Sequence, residues 1–318
     1  MEEYALSFQD IIGHNDVKNE IINSIGCGRF AHAHIISGED GIGKSLIAKE
    51  AACKLLNKEP GREYADIIEF RLLKNKKSIG VDEIKSIIEE INTKPYEGDK
   101  KVIIIHNADS MTVEAQNAFL KTVEEPPKGI FILLLCEKVE NLLDTIKSRC
   151  QIYKLHHLHK KDMEKFLLKK YSNLNKDELN SIAIISDCIP GKAEMFIEDS
   201  NLKDIRNLTM DILKNIMNKD IDIFIYEEAL LKYKSYWEET LTWFLSYIRD
   251  TLIYKETANN NLIINVDKIG NIKSLSEIFS FTQLNDIIDI IKDTRLKLES
   301  NVNAALVFDS MLLKMQEV

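Results

Sequence analysis

Eight consecutive residues constrain this chain more than any others: Gly38-Glu39-Asp40-Gly41-Ile42-Gly43-Lys44-Ser45. They match the phosphate-loop pattern GxxxxGK[ST], with a strand-like run before them and a helical pattern after, the setting that gives the pattern meaning. The glycines let the backbone turn tightly, so that several N–H groups aim at one centre. Lys44 supplies a cation for β and γ phosphates, Ser45 can hold Mg²⁺, and the helix N-terminus adds a favourable dipole. Gly38, Gly41, Gly43, Lys44 and Ser45 are therefore the candidate nucleotide-binding residues. The competing reading is a loop kept only for its fold, and the acids Glu39 and Asp40 inside it weaken the electrostatic case.

A loop of this kind needs a parallel α/β sheet around it, and the hydrophobic pattern predicts one. β-rich runs fall at 34–37 (HIIS), 66–72 (DIIEFRL), 101–106 (KVIIIH), 130–136 (IFILLLC) and 151–155 (QIYKL). The central runs are apolar without alternation, as in parallel strands covered on both faces. Helical patterns at 44–57, 81–92 and 112–125 lie between them, giving the βαβ signature. After Leu155 the pattern turns helical, at 160–172, 176–186 and 192–197, then in long amphipathic stretches at 236–254, 283–297 and 302–315. A polar loop falls at 257–261. Only 12 Gly and 5 Pro in 318 residues agree with long helices.

Charge and cysteine usage exclude other classes. The formal net charge of −9 argues against a protein that coats nucleic acid alone, since duplex binding rests on Lys and Arg. A small basic cluster, Lys74, Lys76 and Lys77, reads as a solvated loop. The five cysteines (Cys27, Cys53, Cys136, Cys150, Cys188) are scattered and form no CxxC pair, which suggests reduced thiols, neither a disulfide framework nor a zinc knuckle. The N-terminus has no signal-peptide core, and no run of about 18 apolar residues offers a membrane span. The expectation is a cytoplasmic protein with no membrane partner and no metal site.

The phosphate loop lacks its usual companions. A P-loop ATPase places an acid at the end of a neighbouring strand to hold Mg²⁺, and many add a Glu to activate water. The run 101–105 instead ends in His106-Asn107-Ala108-Asp109. A neutral His does not replace a carboxylate on a hard cation, and Asn107 accepts no proton. Asp109 falls where the chain turns into the next helix and reads as a cap-region acid. The phosphate cradle is kept and the hydrolytic groups are lost.

Further motifs then occur in order: Ile11-Ile12-Gly13-His14, Ala31-His32-Ala33-His34, Ala115-Gln116-Asn117-Ala118-Phe119-Leu120-Lys121-Thr122-Val123-Glu124-Glu125-Pro126-Pro127 and Ser148-Arg149-Cys150. Together they resemble bacterial clamp-loader subunits, AAA+ proteins of the DNA polymerase III holoenzyme. The likeness is dense over residues 6–155 and weaker but colinear beyond. It implies a RecA-like AAA+ P-loop domain at 1–157, a small helical lid domain at 158–200 and an all-α collar domain for oligomerisation at 201–318. Two subunit types share these motifs. The missing strand-end acids, the chain length and the C-terminal Trp243…Arg249-Asp250-Thr251-Leu252 and Asn301-Val302-Asn303-Ala304-Ala305-Leu306 favour the delta-prime type; the alternative is a tau/gamma-like ATPase motor. One departure is the interval 53–66, which holds one Cys where the family carries a four-cysteine zinc module, so the expectation is no zinc and a shorter loop.

The resemblance also assigns roles. Arg149 would act in trans as an arginine finger on a neighbouring subunit's ATP, since a planar guanidinium can stabilise charge on a γ-phosphate held by another chain. Lys192, in Pro190-Gly191-Lys192-Ala193, either reaches bound phosphates or is a solvated lysine. A lysine in a first helical turn opposes the dipole, which favours an anionic partner. ATP, as Mg-ATP weakly held or not hydrolysed, is the expected cofactor, with weak or absent ATPase and no polymerase chemistry in this chain. The implied partners are the tau/gamma and delta subunits, the sliding clamp, and primer–template DNA reached through the complex. The helix starts near Gly80 and Thr112 are candidate DNA-phosphate contacts. The aromatics Trp237, Trp243, Phe244 and Tyr247, and the apolar stripe of the last helix, read as core or subunit interface.

Overall fold

The computed structural model describes residues 7–72, 76, 78–218, 223–300 and 302–318. The chain divides into two compact units, the first running to Lys170 with Cys188–Lys192 added, the second Tyr171–Asp187 with Ala193–Val318.

The first unit is built on a parallel sheet of β1 (Ala33–Ser37), β2 (Ile67–Phe70), β3 (Lys101–Ile105), β4 (Ile130–Cys136) and β5 (Gln151–Lys154), in the order β2-β3-β4-β1-β5. Around it lie α1 (Asn15–Gly26), α2 (Lys44–Leu55), α3 (Val81–Ile91), α4 (Val113–Glu124), α5 (Asp144–Lys147) and α6 (Lys160–Lys170). The unbroken apolar runs of β3 and β4 follow from strand geometry, which sends successive side chains to opposite faces. Ile103, Ile105, Ile132 and Leu134 pack with Ile84 and Ile87 of α3 and Phe119 and Val123 of α4. Val102, Ile104, Leu133 and Leu135 pack with Ile21 of α1 and Ile47, Ala48 and Ala51 of α2. The central strands β3 and β4 are apolar at nearly every position because helices cover both sides of them.

The expected strand at 66–72 is shorter than its composition suggests. Its ladder with β3 ends at Phe70 opposite Ile105, where β3 itself stops. Asp66, just before β2, is buried and accepts the backbone N–H groups of Tyr96 at 2.6 Å and Glu97 at 2.9 Å. Helix α1 was not legible in the hydrophobic pattern; it starts after His14 in the left-handed region (φ 53°) with no side-chain cap.

The second unit is helical: α7 (Lys176–Ile185), the body of α8 (Pro190–Glu198), α9 (Ser200–Asn215), α10 (Ile223–Lys232), α11 (Trp237–Thr257), α12 (Ile269–Ile278), α13 (Phe281–Glu299) and α14 (Ala304–Glu317). A hydrophobic core runs from α9 to α14. Trp243, Phe244 and Tyr247 are buried in α11. In α14, Phe308, Met311, Leu312 and Met315 are buried within the unit, while Leu306 and Leu313 face out. Asn301 lies outside the described residues. Arg206, buried in α9, donates to Asp267 at 2.7 and 2.8 Å and to Asn265 at 2.9 Å, with its guanidinium 5.0 Å from the Trp243 ring.

Candidate nucleotide site and the surface arginine

The phosphate loop follows β1 at the C-terminal edge of the sheet, where ligands of open α/β folds bind. Gly41 (φ 79°) and Gly43 (φ 110°) adopt conformations that side chains rarely take. Gly41 has a second constraint, since Gly191 N donates to its carbonyl at 2.9 Å and a Cβ on Gly191 would stand 2.6 Å from the Gly41 Cα. Two glycines thus let the start of α8 touch the loop backbone directly. Pro190 at the first helical position suits that approach, since its missing N–H would be unpaired there anyway.

Lys44 donates to the loop carbonyls of Gly38 (2.7 Å) and Glu39 (2.8 Å). Burial pushes its ammonium below the ordinary lysine value, against the pull of Asp40, Glu137 and Asp109. Lys192 meets the Glu39 carboxylate at 2.8 Å, and His157 Nε2 meets its other oxygen at 2.7 Å. These two bonds hold Glu39 below the usual carboxylate range. Lys192 thus pairs with an acid of the phosphate loop itself, a third arrangement beside the phosphate contact and the solvated lysine that the sequence offered.

Beside the loop stands an arrangement that the sequence did not announce. His106, buried just past β3, has Nδ1 3.5 Å from Ser45 Oγ and Nε2 2.8 Å from Glu69 of β2. Glu69 also binds Arg71 at 2.9 Å and Lys49 at 3.1 Å, and its carboxyl, held chiefly by His106, lies at about 2. The signal was the alternation in β2, which puts Glu69 on the α2 side of its strand, but only the pairing of β2 with β3 brings it to His106. Asp109 Oδ2 accepts the backbone N–H groups of Glu137 (3.2 Å) and Lys138 (2.9 Å) and so anchors the loop after β4.

Arg149 sits elsewhere. It lies between α5 and β5, and β5 begins at Gln151 opposite His34, the second residue of β1. Because the strands are parallel, Arg149 is at the N-terminal edge of the sheet and the phosphate loop at the C-terminal edge. The four residues of β5 put at least about 10 Å of sheet between them. The exposed guanidinium donates to Thr145 O (2.9 Å) and to the Glu124 carboxylate (3.1 Å). The structure thus joins the phosphate loop with Lys192 and leaves Arg149 apart from both.

The helix starts proposed for DNA contact already have partners within the chain. Gly80 N donates to Glu83 at 3.0 Å and Ala115 N to Thr112 Oγ1 at 3.2 Å. Lys76 pairs with Glu83; Lys74 and Lys77 lie outside the described residues. After α2 the chain crosses to β2 through residues 56–66, next to a buried Cys53. Among the described residues, no three His, Cys, Asp or Glu side chains are grouped to hold a metal ion. Nor, among them, is any helix long and apolar enough to cross a membrane.

The family model described as DNA polymerase III, delta subunit, matches residues 13–159, and the model for the C-terminal part of that delta subunit matches residues 200–317. The chain belongs to the bacterial clamp-loader family of DNA polymerase III. It is 26% identical over 314 residues to DNA polymerase III subunit delta′ of Bacillus subtilis, spanning 93% of this chain and 94% of that one. It is 33% identical over 234 residues to subunit gamma of Buchnera aphidicola (subsp. Schizaphis graminum), spanning 67% of this chain and 61% of that protein. The chain therefore spans about three fifths of that clamp-loader relative's length. A crystal structure of a gamma subunit-related protein from Thermotoga maritima superposes with a TM-score of 0.52 at 20% identity, covering 95% of this chain and 98% of that one. That likeness bears on fold, and the parallel sheet with its phosphate loop after β1 is the AAA+, RecA-like arrangement expected within the clamp-loader family.

Proposed function

We propose that this chain is the delta-prime subunit of the clamp-loader complex. In this reading it is a hydrolysis-poor AAA+ stator that helps load the sliding clamp on primed DNA and lends Arg149 to a neighbouring ATPase subunit. The observation that carries the stator reading is His106-Asn107 in place of an acidic pair at the end of β3. The role of Arg149 is supported by its position, exposed and at the opposite edge of the sheet from Lys44. A guanidinium placed there has no access to its own chain's phosphate loop, whereas a neighbour docked against that edge can present a triphosphate to it. The end-to-end likeness to a delta′ subunit supports the same conclusion.

In this assignment Gly38, Gly41, Gly43, Lys44, Ser45 and Lys192 hold a nucleotide that is turned over slowly or not at all. Asn107 accepts no proton from water at the strand end, and both ring nitrogens of His106 are engaged, with Ser45 and Glu69. The domain division is 1–157, 158–200 and 201–318, the last forming a collar with the tau/gamma and delta subunits through the outward residues of α14. DNA is reached through the complex, in the cytoplasm. Reconstituting the loader with Arg149→Ala tests the reading: assembly should persist while DNA-stimulated ATPase falls, and unchanged ATPase would overturn it.

A tau/gamma-like motor is the second reading, favoured by the complete GxxxxGK[ST] octet and the 33% identity to a gamma subunit. Turnover by the isolated chain at motor-like rates would establish it in place of the first.

A further inference from the structure

A phosphate loop of this type implies a magnesium ion bridging the bound phosphates, and the side chains around Ser45 do not fit one. Magnesium is small and hard, takes oxygen ligands in near-octahedral geometry and gives up water reluctantly. The loop hydroxyl normally supplies one oxygen, and a carboxylate at the end of a neighbouring strand holds the ion's waters. Here the group facing Ser45 Oγ is a ring nitrogen, His106 Nδ1, at 3.5 Å, the outer limit of a hydrogen bond.

That ring is held in place from behind. An ionised carboxylate only accepts, so the 2.8 Å contact assigns a proton to His106 Nε2, donated to Glu69. In the neutral ring Nδ1 is then the acceptor, and the Ser45 hydroxyl is directed at it as donor. Glu69 cannot swing round to serve a metal, because Lys49 and Arg71 hold the same carboxylate. Its low titration point agrees with an anchor that stays ionised among donors. Of the other strand-end acids, Glu137 after β4 is exposed with its charge acting on Lys44, and Asp109 is committed to the backbone. Asn107 takes a left-handed turn (φ 52°), and Asp109 accepts two amides of the loop after β4. The cationic groups at the loop are Lys44 and Lys192, which reach carbonyl and carboxylate oxygens of the loop itself.

We propose that this loop binds a nucleoside di- or triphosphate without a metal ion, the His106–Glu69 pair standing where a metal-holding carboxylate would stand. The proposal rests on the nucleotide-binding reading given above and goes further by stating the form of the ligand. Nucleotide charge is met by Lys44, by Lys192 once released from Glu39, and by the loop amides at the start of α2.

Calorimetric titration of the full chain with ADP and with ATP, each in magnesium and in EDTA, tests this. The expected result is affinities in the two buffers agreeing within about twofold, with binding lost in Lys44→Ala. The double variant His106→Asp/Glu69→Gln puts a carboxylate opposite Ser45 without crowding two acids. It should bind at least about tenfold tighter when magnesium is added, equivalent to about 1.4 kcal/mol. Tightening of the unmodified chain by magnesium to that degree overturns the proposal while leaving the nucleotide site standing. No binding in either buffer overturns both. A folded double variant as indifferent to magnesium as the parent overturns the part assigned to His106; if it does not fold, the comparison on the parent chain still decides.

Discussion

Arg149 and Glu124 meet at 3.1 Å, and their contact joins the two most specific motifs of the chain, LKTVEEPP at the end of α4 and the SRC triplet before β5. The two residues are 25 positions apart in sequence, and their side chains are about a third and a half exposed. An ion pair so open to water contributes roughly 0–1 kcal/mol. Glu124 therefore holds the guanidinium only loosely, and in the role proposed for Arg149 its release costs little.

This leads to a paired expectation. Arg149→Ala should lower the DNA-stimulated ATPase of a reconstituted loader by roughly 10³-fold. Glu124→Gln should change chain stability by less than about 1 kcal/mol and leave most of that ATPase in place. ATPase measured on both assemblies separates the finger from its support; equal losses would assign Arg149 a structural role only.

In the proposed nucleotide site, Glu39 is a competitor of phosphate for Lys192. A nucleotide entering the loop must draw Lys192 and Lys44 away from oxygens of the same loop, those of Glu39 included. Glu39→Gln should tighten nucleotide binding roughly threefold to tenfold, and Glu39→Gln/Lys192→Ala should lose that gain. Fluorescent-nucleotide titration reads both, and an unchanged affinity in Glu39→Gln would remove Glu39 as competitor.

His34 gives the fold an acid limb above the carboxylate range. It is buried in β1, stacked 3.8 Å from Phe30 and 5.5 Å from Tyr153, and burial pushes its imidazole down to about 4. The folded chain resists protonating this ring while the unfolded chain protonates near the ordinary value of 6.5. The contribution is complete above about pH 6.5 and is lost as the pH falls toward about 4. Urea midpoints for the first unit should show a loss of about 2 kcal/mol between about pH 7.5 and about pH 5. His34→Phe should flatten that slope, and an equally steep slope in the variant would rule the ring out as its source.

Arg206 ties the helical unit together. Its guanidinium meets Asp267 and Asn265 and lies over Trp243, while Tyr247 Oη donates to its backbone carbonyl at 3.1 Å. Burial raises the Asp267 carboxyl, but the bonds and charge of Arg206 outweigh that and leave it lowered. Arg206→Met leaves the buried Asn265 without this donor and the partly exposed Asp267 without its cation. The expected cost is about 2–3 kcal/mol, read as a lower urea midpoint for loss of helix. A change under about 0.5 kcal/mol would show that the pair carries no net stability.

The sheet was legible because its evidence is local. An unbroken apolar run bounded by turn residues records coverage on both faces, whatever the covering helices are, so β3 and β4 emerged within a residue of their bounds. The phosphate loop was legible because glycine positions and a following Lys-Ser pair carry the geometry within eight residues. The contacts of His106 were not. Its neighbours in sequence say only that an acid is missing, and Glu69 lies 37 positions earlier. Nor did anything near Arg206 announce Asp267, 61 positions away.

By itself, the sequence determined the α/β-then-helical order of the chain, the phosphate cradle and the candidate arginine, because each is encoded in spacing along one short segment. Tertiary structure alone decided that Lys192 closes on Glu39, that His106 is backed by Glu69, and that Arg149 stands at the far edge of the sheet from Lys44. Those relations depend on strand order and parallel register. They arise from the simultaneous packing of two helical layers, which no single stretch of sequence contains.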